Sequence, residues 1–272
     1  RGDFLISDIT FNGQSASDLG LICLQEGDSE DLNEQVGGTY EIKKDAIPSK
    51  KSFYLYESNI TEPTTFNLMF MHCNCDSEYI ELDEQYAIID WLIFENEYKW
   101  LQINTEGYEN ILFRAKFYNP QIKTTGSKVF AMTFTCILDG GHAYSEEIIK
   151  KHNVTPDNNT FTICNNSSFK SMYIYPTVQI VVGENTDTIE IENLSEPNSD
   201  RHKFIINNLQ EGDHIFVDGE NKIMYKEASN DSLLQDFNKQ WLRLKQGNNI
   251  IKITGNVTIT ITYREKRMVG IY

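Results

Sequence analysis

Three residue groups have types and spacing that could carry chemistry. His72-Cys73-Asn74-Cys75 puts an imidazole and two thiols within four residues, a donor set suited to a soft metal. No second cluster supplies the rest of a tetrahedral shell. Met69, Met71 and Cys73 also alternate with Phe70 and His72, so strand packing is the expectation there. Glu190 and Glu192 stand two apart on one strand face, a pair from which a glycosidase acid and base could be drawn. With 40 Asp and Glu in 272 residues such pairs are common, and a solvated strand face is the simpler reading. Trp241 could stack against a sugar ring, yet it precedes Leu242 and Leu244, where a core position is expected. The five histidines stand apart from any nucleophile candidate. There is no G-x-S-x-G, phosphate-binding Gly-rich loop, H-E-x-x-H or C-x-x-C pattern. Catalytic residues, cofactor sites and metal sites are therefore all assigned as none, and the expectation is a protein that is not an enzyme.

The elements that must position these groups are mostly strands. One stretch departs from that rule: Glu84 to Phe94 puts Ile88, Ile89, Leu92 and Ile93 on one side at helical spacing, with Trp91 beside them and Asp83 placed to cap. Around it, Trp100 with Gln102 opposes Leu101 with Ile103, and Ile111, Phe113, Ala115 and Phe117 oppose Arg114 and Lys116. That is strand periodicity. A lone helix among strands buries its stripe only against a sheet, which predicts a β-sandwich or barrel with one helix packed on it.

Composition sets the outer limits. The chain is 40% hydrophobic with 14 Tyr, 15 Phe and 6 Pro, enough apolar material for real cores and weighted towards β structure. No run is long enough for a membrane-spanning helix. The first residues, Arg1-Gly2-Asp3-Phe4, show neither an initiator Met nor a hydrophobic signal segment, and no secretion is read from them. Of the formal charge of −16, residues 1–150 carry 11 Lys and Arg against 25 Asp and Glu, a net −14, and residues 151–272 carry 13 against 15, a net −2. A domain so acidic repels phosphate backbones, so no nucleic-acid binding is expected, and with no apolar run of spanning length no membrane partner is expected either. Cys23, Cys73, Cys75, Cys136 and Cys164 are too few and too scattered for a disulfide framework.

In chain order, Phe4 to Phe11 reads as a strand turned at Asn12-Gly13, with Leu19 to Leu24 as its partner. Gln25 to Asn33 reads as an acidic loop. Thr39 to Lys44 and Ser52 to Glu57 flank Ile47-Pro48-Ser49-Lys50-Lys51 as a long, poorly amphipathic hairpin, which makes sense as an arm lying on a neighbouring subunit. Thr65 to Cys73 is a strand covered on both faces, and Ile111 to Ile122 forms a hairpin with Val129 to Leu138. Residues 1–140 thus form one domain and residues 141–160 a polar linker, with a possible helical turn from Ser145 to Lys151. Residues 161–272 form a second, wholly β domain whose strand spacing fits an antiparallel sandwich or jelly roll. Asn230 to Gln240 stands out as a polar interruption. This second half resembles a galectin-like jelly roll, although the galectin His-x-Asn pattern is missing, since His202 and His214 are each followed two residues on by Phe.

Several motifs recur together in order: Phe11-Asn12-Gly13 with Leu19-Gly20-Leu21, the Pro48 hairpin, Ile89 with Trp91-Leu92 and then Trp100-Leu101, and the Phe113 to Phe134 hairpin ending at Cys136. Tyr175-Pro176-Thr177-Val178-Gln179-Ile180, Gly212 to Asp218 and Trp241 to Ile250 follow. Their order and spacing across essentially the whole chain resemble the distal tail proteins of long-tailed phages and prophages of Gram-positive bacteria. The family's Ile-Pro-Gly-Arg stands here as Ile47-Pro48-Ser49-Lys50. The resemblance implies a homohexameric ring built from the N-terminal domain, located at the tail tip or baseplate of the virion and made in the bacterial cytoplasm. It also implies a tail tube protein above, a tail-tip protein below, and outward galectin-like domains available to receptor-binding proteins. A carbohydrate- or cell-wall-binding module, and a glycoside hydrolase, remain as alternative readings.

Overall fold

The computed structural model describes residues 8–26, 39–46, 53–72, 79–93, 96–105, 108, 110–170 and 172–268. The acidic loop after Glu26, the hairpin tip around Pro48, and Cys73 with Cys75 lie outside the described residues. The chain divides into two compact units, one made chiefly of residues up to 144 and one of residues 145–267.

The first unit holds β1 (Ile9–Phe11), β2 (Gln14–Ser15), β3 (Leu21–Glu26), β4 (Thr39–Ala46), β5 (Phe53–Glu62), β6 (Thr65–His72), α1 (Leu82–Ile93), β7 (Lys99–Ile103), β8 (Ile111–Thr125), β9 (Lys128–Leu138) and β10 (Ala143–Ser145). Its main antiparallel sheet runs β2-β1-β7-β8-β9-β6-β3, with β10 beside β8. The alternation read in β7 and β8 holds: Leu101, Ile103, Phe113, Ala115 and Phe117 are all buried. Asn12 and Gly13, at φ 51° and 83°, turn β1 straight back into β2. That tight turn is why Leu19 to Leu24 does not partner the first strand. With β2 on one side and β7 on the other, β1 has no free edge, and β3 pairs with β6 instead.

The sheet's inner face is an aromatic stack. Phe11 meets Phe117 edge-on at 4.9 Å, Phe117 meets Phe70 at 6.5 Å, and Phe70 meets Phe134 and Trp91, each at 5.8 Å. The helix α1 lies against β8 and buries Ile88 and Leu92, with Ile89, Trp91 and Ile93 packed at the margin of the same core. Trp91 Nε1 donates to the Phe11 carbonyl at 3.0 Å, so the indole both fills space and fixes the helix to β1. Asp83 sits inside the first turn and does not cap the helix. Capping falls to Glu84, whose carboxylate accepts from the Glu81 backbone N–H at 2.7 Å and meets His72 Nε2 at 3.2 Å. This is the returning half of a capping box, and it satisfies a donor that the helix leaves unpaired.

The second unit is a two-sheet sandwich. Its strands are β11 (Ile148–Val154), β12 (Thr160–Asn165), β13 (Thr177–Val182), β14 (Ile189–Asn193), β15 (Phe204–Ile206), β16 (His214–Asp218), β17 (Ile223–Lys226), β18 (Gly247–Thr254) and β19 (Val257–Tyr263). One sheet runs β11-β19-β13-β16-β17 and the other β12-β18-β14-β15, all antiparallel. Alternate residues of both sheets enter one core: Val178, Ile180 and Val182 from β13, Ile251 and Ile253 from β18, and Val257, Ile259, Ile261 and Tyr263 from β19. The mainly β architecture and the sandwich are thus as the sequence indicates. Two details differ. Residues 141–160, expected as a linker with a helical turn from Ser145, carry β10 and β11, and β11 pairs with β19 along its whole length. An edge strand that exposes Ile149, Lys150, Lys151 and Asn153 and buries only Val154 shows little alternation in sequence. Asn230 to Gln240, expected as a polar interruption, drops Leu233 and Phe237 into the core.

At one end of the sandwich the closing loops are held by buried amides. The fully buried Asn249 Nδ2 donates to the carbonyls of Lys245 at 2.9 Å and Gly247 at 3.0 Å, while its Oδ1 accepts from Lys245 N–H at 2.9 Å and from Asn193 Nδ2 at 2.8 Å. Asn193 also donates to the Arg243 carbonyl, and Asn165 donates to that of Leu244. These side chains supplement the sparse pairing of segment 241–246, which bridges to Ile174 only at Leu244, and none of their groups can revert to water without opening the core. Replacing Asn249 with Ala strands the Lys245 N–H and the Asn193 amide. Denaturant unfolding should then report a loss of about 2–3 kcal/mol, and a loss below about 0.5 kcal/mol would contradict this account.

Candidate assembly surfaces

The residues singled out for chemistry are placed in structural roles. Glu190 and Glu192, on β14, both face Lys203, whose ammonium lies 2.6 Å from Glu190 and 3.4 Å from Glu192. Ser199 Oγ donates to Glu192 at 2.7 Å. The hydrogen bond to Glu190 raises the Lys203 pKa, as expected of an ion-paired cluster. A shared cation neutralises both carboxylates, whereas an acid–base pair needs their environments to differ. Lys203 sits just before β15, across the β14–β15 pairing, a proximity that strand register creates and linear spacing does not reveal.

Trp241 packs on the sandwich core, edge-on to Phe237 at 4.9 Å. Lys222 Nζ lies 3.5 Å from the Tyr175 ring centroid and 5.1 Å from that of Trp241, and donates to the Gly219 carbonyl at 2.6 Å. Burial lowers the Lys222 pKa, against the opposing pull of Asp218 and Glu220. Phe237 and the chain's own ammonium therefore occupy the surroundings that a sugar platform would need open. Next to this cluster, Arg243 lies 4.4 Å from the Tyr173 ring and 3.0 Å from the buried Glu196 carboxylate.

Among the described residues no group of three or more His, Cys, Asp and Glu is arranged to hold a metal. His72 is engaged with Glu84, and His152 stacks on Phe161 at 3.8 Å. Burial holds the Cys23 and Cys136 thiols well above their usual pKa, which makes both poor nucleophiles. Cys164 is exposed.

What the first unit does present is surface that it does not itself use. The hairpin β4–β5 forms a two-stranded sheet, separate from the main one, with register shifts at Thr39/Tyr40 and Lys43/Lys44. A two-stranded ribbon is marginal in water without something to lie on. On the outer side of α1, Leu82 and Tyr86, four residues apart, are each 59% exposed. In the distal part of β8, Tyr118 is 40% and Ile122 56% exposed, beyond an irregular register at Tyr118/Gln121 where Asn119 takes φ 55°. Sequence reading found the hairpin but missed the outward apolar pair on α1, because it treated the helix only as a core element.

Comparison with known families decides what kind of protein carries these surfaces. Residues 4–137 match the model of a phage tail protein N-terminal domain, and residues 142–263 match that of a phage tail C-terminal domain. The chain belongs to this phage tail protein family. No curated protein matches the sequence. Among solved structures the tail protein is similar in fold to the SPP1 Dit protein, described as a paradigm of the hub adsorption apparatus in phages infecting Gram-positive bacteria. The TM-score is 0.64 at 13% identity, over 96% of this chain and 99% of that one. A chain of the phage P2 baseplate in its activated conformation with Ca gives a TM-score of 0.56 at 10% identity, over 90% of this chain and 91% of that one. The corresponding structure with Sr gives 0.53 at 12%, over 88% and 90%. The resemblance to distal tail proteins read from the sequence is borne out.

If Trp241 is a core residue of the tail protein, Trp241→Ala should lower its unfolding free energy by about 3 kcal/mol in denaturant titration. A variant as stable as the parent would return Trp241 to the surface and reopen its reading as a sugar platform.

Proposed function

We propose that this phage tail protein is a distal tail hub, a non-enzymatic structural component that works by symmetric self-assembly. The observation that carries the reading is the likeness of fold over nearly the full length of both chains to a protein described as a hub. The surfaces of the first unit support it. A closed ring gives the β4–β5 ribbon a neighbour to lie on, consumes the sheet edges at β2 and β3, and covers Leu82 and Tyr86. Six copies make the ring, which joins the tail tube protein on one side to the tail-tip protein on the other. The second unit is then free to carry receptor-binding proteins. The location is the virion tail tip.

The charge distribution acquires a purpose in this arrangement. DNA leaving the capsid passes the ring without binding it, because the −14 of residues 1–150 presents like charge to the phosphates.

Light scattering or native mass measurement of the purified chain should give six times the 31.4 kDa chain mass, and in the presence of tail-tip protein that mass plus the mass of the bound partner. A mass that stays at one chain at high concentration and with that partner present would refute self-assembly. Independently, reversing several acidic residues that the assembled ring turns inward should slow DNA ejection from reconstituted virions. Unchanged ejection kinetics would remove the electrostatic role while leaving the ring intact.

A further inference from the structure

The two ends of the second unit's sandwich treat polar side chains in opposite ways. At the end closed by segment 241–247, the amides of Asn165, Asn193 and Asn249 are consumed by internal hydrogen bonds. At the other end, the loops after β11, β13 and β18 border a solvent-open depression of about 450 Å³. Thr155, Glu184, Asn185, Thr254 and Asn256 line it, and their side chains make no hydrogen bond among the described residues.

The backbone around these groups is nonetheless fixed. Gly183 N–H donates to the Asn256 carbonyl at 2.7 Å, and a Cβ on Gly183 would come within 2.7 Å of that same oxygen, so the two loops approach as closely as glycine permits. The Asn256 N–H donates to Thr186 Oγ1 at 2.9 Å, with Thr186 itself only 8% exposed. The Ile253 N–H donates to the Asn159 carbonyl at 2.9 Å and ties in the third loop. The frame is rigid while the groups it carries are uncommitted, a combination that lowers the ordering cost of binding.

The chemistry of the lining selects a ligand class. Apart from Asn159 and Thr186, whose side-chain oxygens are already engaged, two amides and two hydroxyls offer donors and acceptors together, and Glu184 adds an acceptor-only carboxylate. No Lys or Arg lines the depression, which disfavours phosphates and carboxylates. A ligand whose own groups both donate and accept, and which carries no negative charge, fits best. Pro156 adds an apolar contact at the rim. The volume falls in the range of about 300–1,000 Å³ typical of small-molecule sites. We propose that this depression binds a neutral saccharide unit through Glu184, Asn185, Asn256, Thr155 and Thr254. The groups are well hydrated when the site is empty, so dissociation constants should lie in the millimolar range. The site adds to the hub role without resting on it, and its failure leaves ring assembly unaffected.

The test is saturation-transfer NMR and titration of the full chain with glucose, galactose, rhamnose, N-acetylglucosamine and N-acetylgalactosamine, with glucose 6-phosphate as the charged control. At least one neutral sugar should bind saturably, and more tightly than the phosphate ester. The Glu184→Ala/Thr254→Ala double variant should weaken that binding roughly ten-fold or more, about 1.4 kcal/mol, while Trp241→Phe at the opposite end leaves it unchanged. If the double variant does not fold, Asn185→Gly replaces it, since glycine keeps the left-handed backbone that Asn185 adopts at φ 56°. Absence of saturable binding to all five sugars, a preference for the phosphate ester, or affinity retained in the loop variants would each overturn the proposal.

Discussion

One 12-residue helix has to cover the inner face of the first unit's sheet, and that constraint shapes everything around it. The helix packs against β8 and brings Trp91 edge-on to Phe70 within the aromatic stack, and the Trp91 hydrogen bond to the Phe11 carbonyl fixes where it sits. It leaves the sheet ends at β2 and β3 and the β4–β5 ribbon with no covering element among the described residues. Those edges, with the exposed Leu82 and Tyr86, are the surfaces that the proposed ring would cover. The proposed hub role rests on likeness of fold and draws support from these surfaces.

The second unit solves the same problem internally. Two sheets face each other over one core, and the closing segment at one end is held by buried amides together with the single Ile174–Leu244 bridge. Such an end is costly to perturb, because each donor removed leaves a partner buried and unpaired. The opposite end pins its backbone through Gly183 and Thr186 and leaves its side chains in solvent. One pole of the sandwich is thus closed by internal hydrogen bonds, while the other carries uncommitted side chains, where the saccharide site is proposed.

The carboxylates illustrate how composition misleads in an acidic protein. Glu190 and Glu192 satisfy the spacing of a catalytic pair, yet both serve Lys203. Glu84 has no motif to mark it, yet it links the N-terminus of α1 to His72 on β6. An ionisable group's role depends on what faces it, and what faces it comes from another strand.

Much of this protein was legible from sequence. Strand alternation in β7, β8, β13 and β19 is a local property, because successive side chains point to opposite faces whatever the partner strand. The helical stripe of Ile88 and Leu92 and the Asn12-Gly13 turn are local for the same reason, and the order of short motifs was enough to suggest the family. Pairing was not legible. That β3 joins β6, that Ile148–Val154 is an edge strand of the sandwich and that Leu233 and Phe237 enter its core are set by contacts between residues far apart in the chain. The same is true of Lys203 between two glutamates and of three loops meeting around a depression. Periodicity encodes which face of an element is apolar, but only the folded chain decides which element that face meets.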